Sequence, residues 1–264
     1  MNENINIKDA AEAVKGIVEA VPVYQDLAQP AVQEIGKGLH TLSKVIHIAL
    51  APVSAAVWGY EKISNYVQTS LEKKLENVPP ENIIPPDISV AGPALEALRF
   101  VGDKEELREM FSTLLSTSMN SELSKLAHPS FVEIIKQLSS DEAKILKSID
   151  HDLSFPILKV QIFEKNTRHY SEPLLNFSLL PFESNCEHFE LGPSYINNLN
   201  RLGLIFTSYT QRKIGENVYE PLESHVQVKY WETVANASDK SFEIQRGIIQ
   251  RTDFGANFYN ACIK

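Results

Sequence analysis

Only two cysteines, Cys186 and Cys262, occur in 264 residues, and they share no CxxC spacing. This excludes a disulfide scaffold or a thiol-rich zinc site, and two reduced thiols of a cytoplasmic protein are the expectation. Long apolar runs are also missing. The longest covers residues 45–57, 13 positions interrupted by His47 and Pro52, where a membrane-spanning helix needs about 20. Glycine is sparse, at 11 residues, and no Gly-rich phosphate loop, HExxH or GxSxG occurs. No arginine is followed four to six residues later by histidine, a pairing carried by many helical RNases. Positive charge is short as well, with 25 Lys and Arg against 34 Asp and Glu. Most of that deficit lies in residues 1–150, which hold 14 against 21, whereas residues 151–264 hold 11 against 13. An acidic front half repels phosphate, so extensive contact with nucleic acid is not expected. Residues 1–6 have neither the basic start nor the apolar run of a secretion signal, which again favours the cytoplasm.

With 43% hydrophobic and 22% charged residues, the composition is that of a globular protein with one large domain or two ordinary ones. The stretch 127–149 organises the chain. Pro129 suits the first turn of a helix, and Phe131, Val132, Ile134, Ile135 and Leu138 recur at helical spacing. Ser139 and Glu142 form a capping-box pattern that restarts the chain as a second helix, with Ala143, Ile145, Leu146 and Ile149 on its apolar side. Before this stretch everything reads as helix. Residues 8–20 are modestly amphipathic, and a longer helical run extends over 41–75. Its 45–57 centre has two readings. One is a buried core helix; the other is a membrane-inserting element, with Trp58 and Tyr60 as interfacial anchors. His40 and His47 share a face but lack a carboxylate partner, so packing explains them better than metal binding. The Pro-Pro pairs within 77–87 impose an extended connection. A helix over 91–101 follows, then a better one capped by Asp103. Leu107, Met110, Phe111, Leu114, Leu115 and Met119 give that helix a core-facing stripe.

Behind the centre the pattern changes. Residues 156–163 read as a strand, and 174–182, broken by Pro173 and Pro181, as irregular chain. Residues 194–202 read as a helix ended by Gly203 in the left-handed region. A strand over 204–209 should pair with 242–251, and a helix over 253–262 closes the chain. The insert around 220–225 is expected to be partly helical. This order is that of a winged helix, whose helix before the hairpin often enters DNA. Arg201, Arg246 and Arg251 are the candidate DNA contacts, with Arg212 and Lys213 nearby. The competing reading is a protein-packing module, which the overall acidity favours. Cys186-Glu187-His188 reads as surface loop and His151-Asp152 as a turn. No catalytic residue, cofactor or metal ligand is assigned.

The segment "Ile-Ile-Pro-Pro" at 83–86, the helix end "Leu-Leu-Ser-Thr-Ser-Met" at 114–119 and "His-Pro-Ser-Phe-Val-Glu-Ile-Ile-Lys-Gln-Leu-Ser-Ser-Asp-Glu-Ala-Lys-Ile-Leu" at 128–146 together resemble the abortive infection alpha family of bacterial proteins. Members are described as phage-defence proteins, and the resemblance implies no catalytic residue. The expected architecture is mainly α, with a helical bundle over 1–126, joined at 77–87 by the Pro-rich connection. A winged-helix-like α+β module over 127–264 should follow, opening with the 128–149 helices. The expected function is non-enzymatic anti-phage defence through contacts with a protein partner or phage component, with self-association open. A membrane effector using 45–57 and a DNA-binding regulator using the three arginines are the alternatives.

Overall fold

A computed structural model describes residues 59–149 and 154–264, apart from 166 and 168. The expectations for 8–20 and 45–57, for His40 and His47 and for His151-Asp152 lie outside the described residues. The chain is helix-rich, and among the described residues all strands follow residue 150. Helix α1 spans Tyr60–Leu75, α2 Ile88–Val101, α3 Glu105–Ser118, α4 Ser130–Lys136 and α5 Ser140–Ser148. In α1, Ile63, Val67, Leu71 and Leu75 recur every four residues and are all buried, so one stripe faces the core. A polar seam joins its flank to α3: the Tyr66 hydroxyl donates to Glu109 at 2.7 Å and Lys74 donates to Thr113 at 3.0 Å.

The six stripe residues of α3 expected inside are all buried. Its cap differs from expectation. Lys104 occupies the N-cap without a side-chain hydrogen bond, because the chain enters the helix one residue later. The Asp103 carboxylate instead lies 3.4 Å from Lys62 of α1. The Pro-rich connection is held against the helices. After a 3-10 turn at Pro80–Asn82, Ile83 is buried and the Ile84 amide donates to the Met119 carbonyl at 2.8 Å. Asp87 then caps α2 by accepting from the Ser89 amide. Between α4 and α5 the capping box forms as its spacing demands: the Ser139 amide donates to Glu142 Oε2 at 2.7 Å, and the Glu142 amide to Ser139 Oγ at 3.2 Å.

Four strands form one antiparallel sheet: β1 Ser154–Phe163, β2 Tyr170–Phe177, β3 Ile205–Ser208 and β4 Ser241–Arg251, in the order β2-β1-β4-β3. The hairpin partners expected from sequence do pair, from Ile205 opposite Arg251 to Ser208 opposite Ile248. Most of 174–182, expected to be irregular, belongs instead to β2 and to α6, Leu180–Glu183. Pro173 is tolerated because β2 is an edge strand, where a missing donor costs little, and register shifts mark its pairing with β1. The remaining helices are α7 Gly192–Arg201, α8 Glu220–Glu223, α9 Val226–Ala237 and α10 Asp253–Cys262.

The main core runs from Ile63 and Leu71 through Phe111 and Phe131 to Leu199, Ile249 and Phe258, so helices from both ends of the described chain share it. On β1, Ile157 faces this core, while Leu158, Val160 and Ile162 face a smaller one covered by α9. That alternation is the strand's two-residue period. Gly203 adopts φ 73°, as a left-handed helix end requires. Thr252 then locks the strand start to α10: its hydroxyl donates to the Gly203 carbonyl at 2.5 Å and accepts from the Gly255 amide at 2.8 Å. Gly255 has no alternative here, since a Cβ would lie 1.9 Å from the Leu204 carbonyl oxygen.

Candidate functional site

The junction of the helices with the sheet is built around one carboxylate. Asp141, in the first turn of α5, is only 5% exposed. Its two oxygens accept from the backbone amides of Glu187 and His188, both at 2.9 Å, and from the Tyr195 hydroxyl at 3.0 Å; Lys144 adds a contact at 3.2 Å. Burial pushes the Asp141 carboxyl upward, but these donors outweigh it and hold the group at about 2. The charge stays, and it pins the loop before α7 to the head of α5. Glu142 continues the seam by accepting from Asn198 of α7 at 2.8 Å.

That pinned loop forms one lip of an apolar cleft. Phe177, Leu179, Phe182, Phe189, Pro193 and His225 line a hollow of about 290 Å³. The His225 ring packs 4.9 Å from Phe177, and its Nδ1 caps α9 by accepting from the Gln227 amide. Phe182 and Phe189 meet edge to face at 6.1 Å, yet are 67% and 55% exposed. Gln227 also lines a second hollow of about 490 Å³ with Pro173, Leu174, Val226, Tyr230 and Trp231. Leu191, Val226 and Tyr230 are exposed as well. These rings form a closely grouped, exposed apolar patch at the mouth of the two hollows. The lip is acidic: Glu183, Glu187 and Glu190 are exposed, and residues 169–200 contain no lysine or arginine.

The Cys186 thiol, 3.5 Å from the Asp141 carbonyl, is pushed up to about 11 by burial and then by the Asp141 charge. It is therefore a protonated thiol with little nucleophilic character at neutral pH. The neighbouring His188 Nδ1 lies 3.5 Å from Glu190 Oε1. Burial likewise raises the Cys262 thiol, and both cysteines are free. Among the described residues no group of three or more His, Cys, Asp or Glu could hold a metal ion.

The candidate DNA contacts Arg201, Arg246 and Arg251 are each engaged within the fold. Arg201 donates to Gln137 Oε1 at 3.0 Å and to Asn198 Oδ1 at 2.7 Å. Arg246 forms a two-pronged pair with Glu223 at 2.5 and 3.0 Å and lies over the Tyr219 ring. Arg251 donates to the Ile149 carbonyl, with its guanidinium 4.5 Å from the Tyr259 ring centre. Each arginine thus has a partner within the fold. Sequence reading missed the cleft and Asp141 alike. The one signal available was the absence of lysine and arginine from 169 to 200 beside Phe182, Phe189 and Leu191.

Among the described residues no helix is long and apolar enough to cross a membrane. No curated protein matches the chain. One solved structure, of an uncharacterised protein from the hydrocarbon-degrading marine bacterium Alcanivorax borkumensis SK2, is similar at 15% identity and a TM-score of 0.37. The likeness covers 55% of this chain and 96% of that one. The match to the family model described as "Abortive infection alpha" is far more extensive, reaching from residue 59 to residue 262 and so across α1 to α10. By that match, over most of its length, the chain belongs to the abortive infection alpha family.

Proposed function

We propose that this chain is a cytoplasmic anti-phage defence protein that performs no catalysis and acts through protein contacts made at the apolar cleft. Family membership supplies the defence context. The observation that carries the contact mechanism is the pair Phe182 and Phe189, rings left 67% and 55% exposed at the mouth of a hollow. Surface rings of this kind gain their stabilisation only when another apolar surface covers them. The binding partner is a protein, either a phage component or a host protein altered by infection.

We read α5, β1, α7, β3 and β4 as a winged-helix-like module used for packing. Its strand neighbours run β1-β4-β3, and α7 precedes the hairpin. The hydrogen bonds from Asn198 and Arg201 of α7 to Gln137 support packing as the role of that helix. Cells with and without the gene, challenged with a phage panel while survival and membrane potential are followed, test this reading. Protection should appear with membrane potential intact until cell death. Early depolarisation, before any loss of viability, would instead assign the activity to a membrane-acting segment.

A further inference from the structure

We infer that the cleft takes the exposed loop 209–218 of a second copy of this chain, with Ile214 set into the hollow. The inference rests on the proposed role of the cleft as a contact surface and names what occupies it before a defence partner arrives. Ile214, in the loop after β3, is 95% exposed, more than any other large apolar side chain among the described residues. No residue of that loop lines either hollow, so the chain does not fill its own cleft. A hollow of about 290 Å³ has room for a branched aliphatic side chain. Charge matches the two surfaces to each other. Residues 201–215 carry Arg201, Arg212 and Lys213 and no Asp or Glu, and Glu216 follows. Residues 169–200 carry four glutamates and no lysine or arginine. Of these, Glu172 is paired with Lys159 at 2.6 Å, and Glu183, Glu187 and Glu190 remain exposed on the lip. The lysine of α9, Lys229, is likewise paired, with Glu232 at 2.8 Å. Arg212 is exposed and has no hydrogen bond or ion pair among the described residues. By contrast, the exposed Ile88 and Phe254 follow Asp87 and Asp253, charges that the lip would repel.

Both surfaces are held in shape before they meet. At the base of the loop the Lys213 amide donates to the Tyr219 hydroxyl at 2.9 Å, and that hydroxyl donates to the Gly247 carbonyl at 2.8 Å. Lys213 Nζ donates to the Ser154 carbonyl at 3.0 Å, so the base is tied down while Ile214 projects. Asp141 does the same for the lip through the amides of Glu187 and His188. Surfaces fixed in this way lose less freedom on association. Loop and cleft are different patches of the chain, so the contact is head to tail and repeats from copy to copy as a ring or an open chain. A partner that binds the open cleft better than the occupied one takes the loop's place and separates the copies.

Sedimentation velocity of the full chain tests this. At about 100 µM, a concentration suited to a small interface, the wild type should sediment as species larger than a monomer. Arg212→Glu with Ile214→Glu removes the projecting group, and Phe182→Ser with Phe189→Ser removes its seat. Each double variant alone should be monomeric, with self-association weakened at least about tenfold, while melting as the wild type does; Ile214→Ser replaces the first if that one melts early. Mixed, the two retain one intact loop and one intact cleft between them and should form one-to-one dimers and nothing larger. Cross-linking then locates the contact. With p-benzoylphenylalanine in place of Ile214 in an isotopically light chain, cross-links should map to residues 177–193 or 225–231 of a heavy chain, and the same group in place of Ile88 should give none there. A monomeric wild type, a mixture that stays monomeric, cross-links within one copy or to other residues, or equal cross-linking from position 88 overturn the inference. If the wild type is monomeric while Phe182→Ser with Phe189→Ser still abolishes phage protection, the occupant is wrong and the contact surface stands. If the mixture forms dimers while that double variant protects fully, the cleft serves self-association alone and the proposed function is wrong.

Discussion

Replacing Asp141 by asparagine keeps the shape of the side chain, removes its charge and turns one acceptor into a donor. The two backbone amides, the Tyr195 hydroxyl and Lys144 all point at that side chain, so the amide nitrogen meets donors that it cannot satisfy. Holding the carboxyl at about 2, below its ordinary 3.8, corresponds to about 2.5 kcal/mol of stability at neutral pH. Leaving buried donors unpaired brings the expected loss for Asp141→Asn to about 3–4 kcal/mol. The sign follows from the depressed value. The charge-dependent part is complete above about pH 5 and is lost as pH falls through 4 towards 2. Urea unfolding of wild type and variant should therefore show a gap of about 3–4 kcal/mol at pH 7 that narrows by about 1 kcal/mol at pH 3. Hydrogen exchange should show faster exchange at the Glu187 and His188 amides, which lose their acceptor, and so a loosened lip around Phe189. A gap below about 1 kcal/mol at pH 7, close to the roughly 0.5 kcal/mol of ordinary surface substitutions, would refute the argument, as would a gap that does not change with pH.

Two further results are expected of the purified protein. Gly255→Ala should cost about 2–4 kcal/mol in thermal or urea unfolding, because the new Cβ would lie 1.9 Å from the Leu204 carbonyl oxygen; a change below about 0.5 kcal/mol would mean that α10 can shift at no cost. Native protein at pH 8 should resist iodoacetamide at both cysteines, since burial raises both thiols, Cys186 to about 11, and each should react once unfolded in urea. Rapid alkylation of native Cys186 would contradict its burial against Asp141.

Features fixed by short-range chemistry were legible in the sequence. The Ser139–Glu142 box, the α3 stripe and the left-handed Gly203 each depend on a few neighbouring side chains or one apolar period, whereas the β3–β4 pairing, 46 residues apart at Ile205 and Arg251, was legible from the helix–strand–strand order. Asp103 misled because the helix start allowed two registers, and Lys62, 41 residues away, took the carboxylate. Strand β2 was obscured by Pro173, which forbids a central strand but not an edge, and edge position is a property of the whole sheet. The cleft was hidden for the same kind of reason. Its lining comes from β2, α6, the α7 start and the approach to α9. Phe131, on a helical apolar repeat, is 1% exposed, whereas Phe182, in a stretch without a regular period, is 67% exposed. Asp141 carried no signal in the sequence because its amide donors lie 46 and 47 residues downstream.

The central claim is that defence runs through the aromatic lip, and the double variant Phe182→Ser with Phe189→Ser measures it most directly. Both rings are largely exposed, so their removal should change unfolding free energy by no more than about 0.5 kcal/mol each, which melting of the purified variant verifies. Plaquing efficiency is then compared between cells producing wild type and variant at matched protein levels. The account predicts that the variant, folded and equally abundant, gives no more protection than cells lacking the gene. Protection equal to wild type would contradict it.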